Sequence, residues 1–283
     1  MTATAETFAI SAPCERVFDL LLAPGSLTRW LAEHARVEPH KGGAYRFWGR
    51  DVLWCRSERD TEGEILEIEP SRALGVRWRW KGHASRVMFR LEPSGASTAL
   101  TIEHAFETFD PGPEGPGPDM ARCHWRIAAG NLASLVRSGR AALRPDYTAV
   151  TPDGERRVDL EIEIDAPPSR VFRALLDPDQ VRVWMGCEAP EIEPSRDRYS
   201  YGWTRGEARE EVGPTRLLEL VPDRLLVHDW HWTGERDGVV RWELRPSGAG
   251  TRLRLIHQRS FEDGNALGWS DALISIRVLA ESA

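Results

Sequence analysis

Cysteine is scarce in this chain, with four residues at positions 14, 55, 123 and 187 and no C-x-x-C pair among them. Such spacing supplies neither a zinc site nor a disulfide framework, and it predicts a reducing compartment, the cytoplasm. No run approaches the ~18 apolar residues of a membrane-spanning helix, so no membrane insertion is expected. The opening Met1-Thr-Ala-Thr-Ala-Glu6 has neither a basic start nor an apolar stretch, and no signal peptide is expected from it. An excess of positive charge is also missing. With 37 Lys and Arg against 44 Asp and Glu, the net charge of −7 disfavours nucleic acid as a partner. G-x-S-x-G, Walker, G-x-G-x-x-G and H-E-x-x-H sequences do not occur, which removes the usual parts of hydrolases, nucleotide binders and zinc proteases. Cys123 and His124 are adjacent and diverge on a helix, a poor start for a metal site. No metal and no cofactor is expected. Tyrosine is rare too, at four residues, whereas tryptophan numbers twelve.

What the chain does have is an internal duplication. Residues 8–30 return at 162–184, so that A-P-C-E-R-V-F-D-L-L-L-A-P is answered by A-P-P-S-R-V-F-R-A-L-L-D-P without a gap. The register continues as Glu38-Pro39 onto Glu193-Pro194, Trp78-x-Trp80 onto Trp230-x-Trp232, and Leu91-x-Pro-Ser-Gly95 onto Leu244-x-Pro-Ser-Gly248. Leu100-x-Ile102-x-His104 then meets Leu253-x-Leu255-x-His257, and Trp125 meets Trp269. A repeat of this length is a duplicated globular domain, since solenoid periods run about 20–50 residues. The expected division is a first domain over 1–144, a linker over 145–157 and a second domain over 158–283.

Each half has one reading in terms of elements. Phe8, Ile10 and Ala12, like Leu160, Ile162 and Ile164, alternate with polar residues and predict an opening strand with one buried face. Pro13 and Pro167-Pro168 suit the start of a helix, where a missing N–H costs nothing. Val17, Phe18, Leu21 and Leu22, and their counterparts Val171, Phe172, Leu175 and Leu176, repeat at helical spacing. A second short helix follows Pro24 and Pro178 and ends near Trp30 and Trp184. Alternating runs at 45–48, 52–55, 65–68, 76–80, 87–91 and 98–106 predict an antiparallel meander. A last helix is expected over 119–136, and its partner starts near Asn265. The class is therefore α+β: two tandem domains of order β-α-α-β6-α, each a curved antiparallel sheet wrapped around a long C-terminal helix.

The opening A-P-x-x-R-V-F-x-x-L-L-x-P-x-x-x-x-x-W, the E-P followed by Gly42-Gly43, the W-x-W strand and the final helix resemble the SRPBCC superfamily. This superfamily is also called START-like or helix-grip, and the chain is most similar to its branch of activators of the heat-shock-protein ATPase. The resemblance covers nearly all of both halves. It implies a deep pocket between sheet and last helix, in a superfamily whose members bind lipids, polyketides, hormones or aromatic compounds and include some aromatases and cyclases. The second half departs from the pattern, with Ser195-Arg-Asp-Arg198 where the first has His40-Lys-Gly-Gly43.

Candidate ligand-binding residues follow from strand parity. Trp78 and Trp80, like Trp230 and Trp232, lie two apart on a strand and share a face, where indoles stack on apolar or aromatic ligands or simply fill the core. His104 and His257 share parity with the apolar residues before them and point inward, able to orient a ligand carbonyl or to move a proton. Trp125 and Trp269 lie on the last helices. His124 is the group most able to join His104, because Glu103 has the opposite parity. The Pro/Gly-rich stretch from Pro111 to Pro118 has the composition and position of a lid. The second half, ending fourteen residues after Trp269, is expected to have the shorter last helix and the shallower cavity.

Three functions fit. The first is binding of a small hydrophobic or aromatic molecule in the cavity of one or both domains. The second is a polyketide aromatase/cyclase-type enzyme using His104 or His257. The third is a co-chaperone-like module whose partner is another protein.

Overall fold

The computed structural model describes residues 2–53, 55–80, 83–106, 118–147, 157–233, 237–258 and 263–282. It divides into two compact units, Met1–Thr148 and Ala149–Ala283.

The first unit runs β1 (Thr2–Ile10), α1 (Cys14–Leu22), α2 (Pro24–Trp30), β2 (His34–Val37), β3 (Tyr45–Trp48), β4 (Glu62–Glu69), β5 (Ala73–Trp80), β6 (His83–Ser94), β7 (Ser97–Phe106) and α3 (Pro118–Ser138). Five strands form one antiparallel sheet in the order β1-β7-β6-β5-β4. The β2–β3 hairpin joins it at the isolated bridge Ala44 to Glu64, flanked by hydrogen bonds from Gly42 N to Ile65 O and from Ile65 N to Gly43 O. Alternation in β7 is complete: Thr98, Leu100, Ile102, His104 and Phe106 are buried, and the residues between them are half-buried. Such a strand has its register fixed, because a slip of one place would expose the whole buried set.

The second unit runs β8 (Arg157–Ile164), α4 (Pro168–Leu176), α5 (Pro178–Met185), β9 (Glu191–Glu193), β10 (Arg198–Ser200), β11 (Trp203–Arg205), β12 (Glu210–Val212), β13 (Leu217–Val221), β14 (Leu225–Trp230), β15 (Gly238–Ser247), β16 (Gly250–Gln258) and α6 (Asp263–Ser282). Its main sheet has the order β13-β14-β15-β16-β8, with the sequence-first strand again paired to the last. The small pairs β9–β10 and β11–β12 accompany it.

Equivalent hydrogen bonds tie the same elements in both copies. The Trp30 indole donates to Leu20 O at 3.2 Å and that of Trp184 to Ala174 O at 2.8 Å. Tyr45 and Tyr199 donate their hydroxyls to Leu21 O and Leu175 O. Thr98 and Thr251 donate to Ala12 O and Ala166 O, both at 2.7 Å. Trp30 and Trp184 are thus buried anchors of the helix pair.

Three sequence expectations are corrected. The described residues of 52–55 form no strand: Val52, Leu53 and Cys55 are buried in an irregular loop, and β2 supplies the remaining strand instead. Short apolar runs read alike whether they enter a sheet or pack from a loop. In the second unit eight strands follow the helix pair, because the meander breaks into three-residue pieces around Ser195–Arg198, Gly202 and Gly206, where Asp197, Gly202 and Gly206 all take positive φ. Nor is α6 markedly shortened: it has 20 residues against 21 in α3. Of the lid expected at 111–118, residues 111–117 lie outside the described residues and Pro118 opens α3.

After α3 the chain packs back on the first unit, where Asn131 clasps Leu143 through both amide atoms. Arg144 pairs with buried Asp51, and Tyr147 N donates to Arg50 O.

Candidate functional site

Between sheet and C-terminal helix, each unit holds a tryptophan–histidine pair. The Trp125 indole, on α3, donates to His104 Nδ1 on β7 at 3.1 Å. The Trp269 indole, on α6, donates to His257 Nδ1 on β16 at 3.0 Å. All four residues are buried. An imidazole that accepts at Nδ1 carries its proton at Nε2 when neutral.

Aromatic rings enclose both pairs. In the first unit the Trp78 ring lies 5.6 Å from His104 and 5.8 Å from Trp125, while Phe89 meets Trp125 edge-on at 5.4 Å. Phe47 packs at 4.8 Å from Trp78, and Phe106 stacks on His104 at 4.4 Å. In the second unit Trp230 lies 5.1 Å from His257 and 5.2 Å from Trp269, with Trp242 edge-on to Trp269 at 5.5 Å. Tyr201 and Trp203 surround Trp230 at 6.4 and 6.2 Å. These centroid separations and tilts are those that aromatic quadrupoles favour.

A second imidazole enters each interior, but from different elements. In the first unit it is His124 of α3, 5.6 Å from Trp78 and 4.9 Å from Trp125. In the second it is His228 of β14, stacked on Tyr199 at 4.8 Å and accepting from the Trp242 indole at Nε2. By the repeat, His124 corresponds to Gly268, and His228 to Val76. The sequence reading named His124 and missed His228, although His228 stands two residues before Trp230 and so shares its inward parity. Trp242, carried inward by the alternation of β15, was missed as well, and so was Tyr201, which is buried in the connection between β10 and β11.

Burial disfavours the charged imidazolium throughout. It lowers His104 and His257 to about 3, helped in each case by repulsion from the second histidine. His124 and His228 fall to about 4 for the same reason of burial. All four are neutral near pH 7 and have no second proton to donate.

Of the other two named tryptophans, Trp232 does not join these clusters. The side chain of Trp80 lies outside the described residues. Trp232 is half-buried beyond the end of β14, its ring 5.4 Å from the Arg205 guanidinium. The β14–β15 ladder stops at Trp230–Gly238, so the alternation that would carry Trp232 inward stops with it.

The fold and these interiors define a protein of tandem helix-grip domains in the SRPBCC superfamily. The family model described as activator of Hsp90 ATPase homolog 1-like protein matches residues 11–137 and 165–281, and the chain belongs to that family. Among solved structures it is similar to DynU16, of the dynemicin biosynthetic locus, at 18% identity over 99% of this chain and 98% of that one, with a TM-score of 0.42. CalU16 from Micromonospora echinospora is 24% identical over 48% of this chain and 74% of its own, with a TM-score of 0.39. PFC0360w, an HSP90 activator from Plasmodium falciparum, is 19% identical over 50% of this chain and 98% of its own, with a TM-score of 0.40. No curated protein matches the chain. Among the described residues no helix is long and apolar enough to cross a membrane.

Proposed function

We propose that this chain binds a small hydrophobic or aromatic molecule between the sheet and the C-terminal helix of one or both domains, the second above all. The observation that carries this reading is His257 Nε2, buried and without a hydrogen-bond partner among the described residues. Native interiors seldom leave such an atom unpaired. Gly238 lies against it: a Cβ there would stand 3.1 Å from Nε2 and 2.8 Å from Gln258 O, so this strand comes so close to the imidazole only because it has no side chain at that point. Because Trp269 occupies Nδ1, the atom left over is an N–H donor in an apolar, ring-lined setting. It suits a carbonyl, ether or phenolic oxygen on an otherwise apolar ligand. The rings packed around it must part to admit such a molecule. Imidazoles held neutral orient a ligand but donate no second proton, which favours binding over acid-catalysed cyclisation. The protein-partner reading rests on the family's description, whereas His257 is an observation on this chain. The thiols Cys14, Cys55, Cys123 and Cys187, all unbridged, support a reducing compartment such as the cytoplasm.

Native mass spectrometry of the purified chain, with identification of anything released on denaturation, tests the reading directly. Titration with the neutral fluorophore N-phenyl-1-naphthylamine complements it. A bound apolar compound, or saturable fluorescence that His257→Phe weakens about tenfold while the fold is retained, is the expected result. An empty chain with no saturable fluorescence overturns it.

A further inference from the structure

We propose that a pocket on the outer face of the first domain's sheet, where β3 parts from β4, is a binding site for a small organic carboxylate. This site borders the interior at Trp78, but its charged lining lies on the other side of the strand, and it does not rest on the reading above. The pocket has a volume of about 310 Å³ and is lined by Arg46, Glu62, Gly63, Glu64, Arg77, Trp78, Arg79 and Ala84. That volume is at the small end for ligand sites.

Charge is unevenly settled around it. Arg77 pairs with Glu64 at 3.0 Å and Arg79 with Glu62 at 3.2 Å, so both carboxylates of the lining are committed. Arg46 has no ion pair among the described residues, and its Nε is buried without a hydrogen-bond partner. Three guanidiniums against two carboxylates leave one positive charge, the complement of a monoanion. The ladder adds to the cost of leaving that charge unmatched. Arg46 stands directly opposite Arg36 across β2–β3, a like-charge pairing that destabilises a sheet. Arg36 is itself satisfied by Glu38 at 2.9 Å, so the carboxylate beside the hairpin is not available to Arg46 either.

The backbone explains why a recess exists here. A Cβ at Gly63 would meet Tyr45 O at 1.8 Å, so the missing side chain lets β3 and β4 touch at that point. Beyond it no ladder joins the two strands among the described residues; the contact is the isolated bridge Ala44 to Glu64, with Gly42 N donating to Ile65 O and Ile65 N to Gly43 O. The side chain of Arg46, two residues along β3, flanks the opening that results. A guanidinium is a planar fork that matches a carboxylate with two parallel N–H···O bonds, and its buried Nε–H is one of the donors of that fork. Phosphate, carrying more charge than the single residual cation neutralises, fits less well.

The test is a 19F NMR titration of 4-fluorobenzoate against the full chain at low ionic strength, with inorganic phosphate as competitor. Saturable line broadening that Arg46→Gln weakens about tenfold or more, and that Arg224→Gln on the other domain leaves unchanged, is the expected result. Because Arg46→Gln removes an uncompensated cation, its melting temperature without probe should equal or exceed that of the parent, which separates lost binding from lost fold. The proposal is overturned if the parent shows no saturable broadening, or if Arg46→Gln broadens the probe as the parent does. Equal displacement by equimolar phosphate overturns the carboxylate assignment.

Discussion

His104, His124, His228 and His257 each carry a stability that depends on staying uncharged. Their folded values of about 3 or 4 lie below the ordinary 6.5, so the unfolded chain binds protons first as pH falls. Their contribution is fully present above about pH 6.5 and is lost progressively below it, at about 1.4 kcal/mol per pH unit for each histidine. His231 works in the opposite sense, raised by its hydrogen bond to Asp237, but it is largely solvated and its effect is small. Carboxylates held below their usual range, such as Asp159 and Glu243, release their stabilisation only at still lower pH. Urea midpoints should therefore be flat from pH 8 to 7 and fall steeply between pH 6 and 5, before the carboxylates titrate. A level profile across pH 6 to 5 would mean that the imidazoles accept protons in place. The inward direction of His104 and His257 was legible from strand parity alone. Their partners were not, because a hydrogen bond from a helix indole to a strand imidazole depends on how the helix lies on the sheet, which no local pattern encodes.

At the scale of elements, the seam between β3 and β4 tolerates one residue type. Gly63 abuts Tyr45 O so closely that Gly63→Ala would force the strands apart, break the bridge between Ala44 and Glu64, and detach the β2–β3 hairpin from the main sheet. A loss of about 3 kcal/mol or more in the first domain's unfolding free energy is expected, comparable to other severe core disruptions. Gly95→Ala is a useful comparison: its Cβ would meet nothing, although its φ of +63° makes the change mildly costly. Destabilisation by Gly63→Ala no greater than that by Gly95→Ala would show that the seam gives way to the added methyl group. This seam also shows where sequence patterns stop being informative. β7 was legible because its alternation runs the whole strand, and β5 and β6 through the shorter alternating stretches 76–80 and 87–91. His34–Val37 was not, since its exposed and half-buried residues show no apolar alternation. Val52, Leu53 and Cys55 misled for the opposite reason, being apolar residues buried by a loop rather than by a ladder. In the second domain Pro194 and the positive-φ residues after it break the corresponding stretch into short pairs, a change announced by Ser195–Arg198 but not spelled out by it.

The whole molecule carries two complete interiors, each closed by its own first strand, helix pair and last helix. Among the described residues the ties repeated in both copies are each made within one unit: Trp30 to Leu20 and Trp184 to Ala174, Tyr45 to Leu21 and Tyr199 to Leu175, Thr98 to Ala12 and Thr251 to Ala166, Trp125 to His104 and Trp269 to His257. Unfolding one interior therefore breaks none of these bonds in the other. Two transitions are expected in denaturant, and core truncation should move them one at a time. Trp125→Ala removes the indole packed on Trp78 and Phe89 and should lower the first domain's stability by about 3–5 kcal/mol. Trp269→Ala should do the same to the second domain, through its contacts with Trp230 and Trp242. Hydrogen exchange read by mass spectrometry assigns each transition, with amides of β7 reporting one interior and those of β16 the other. If Trp125→Ala accelerated exchange equally in β7 and β16, the domains would be one cooperative unit, and a ligand bound in either interior would stabilise both. If acceleration stays within β7, occupancy of the two interiors is separable, and a ligand held beside His257 protects β16 without protecting β7.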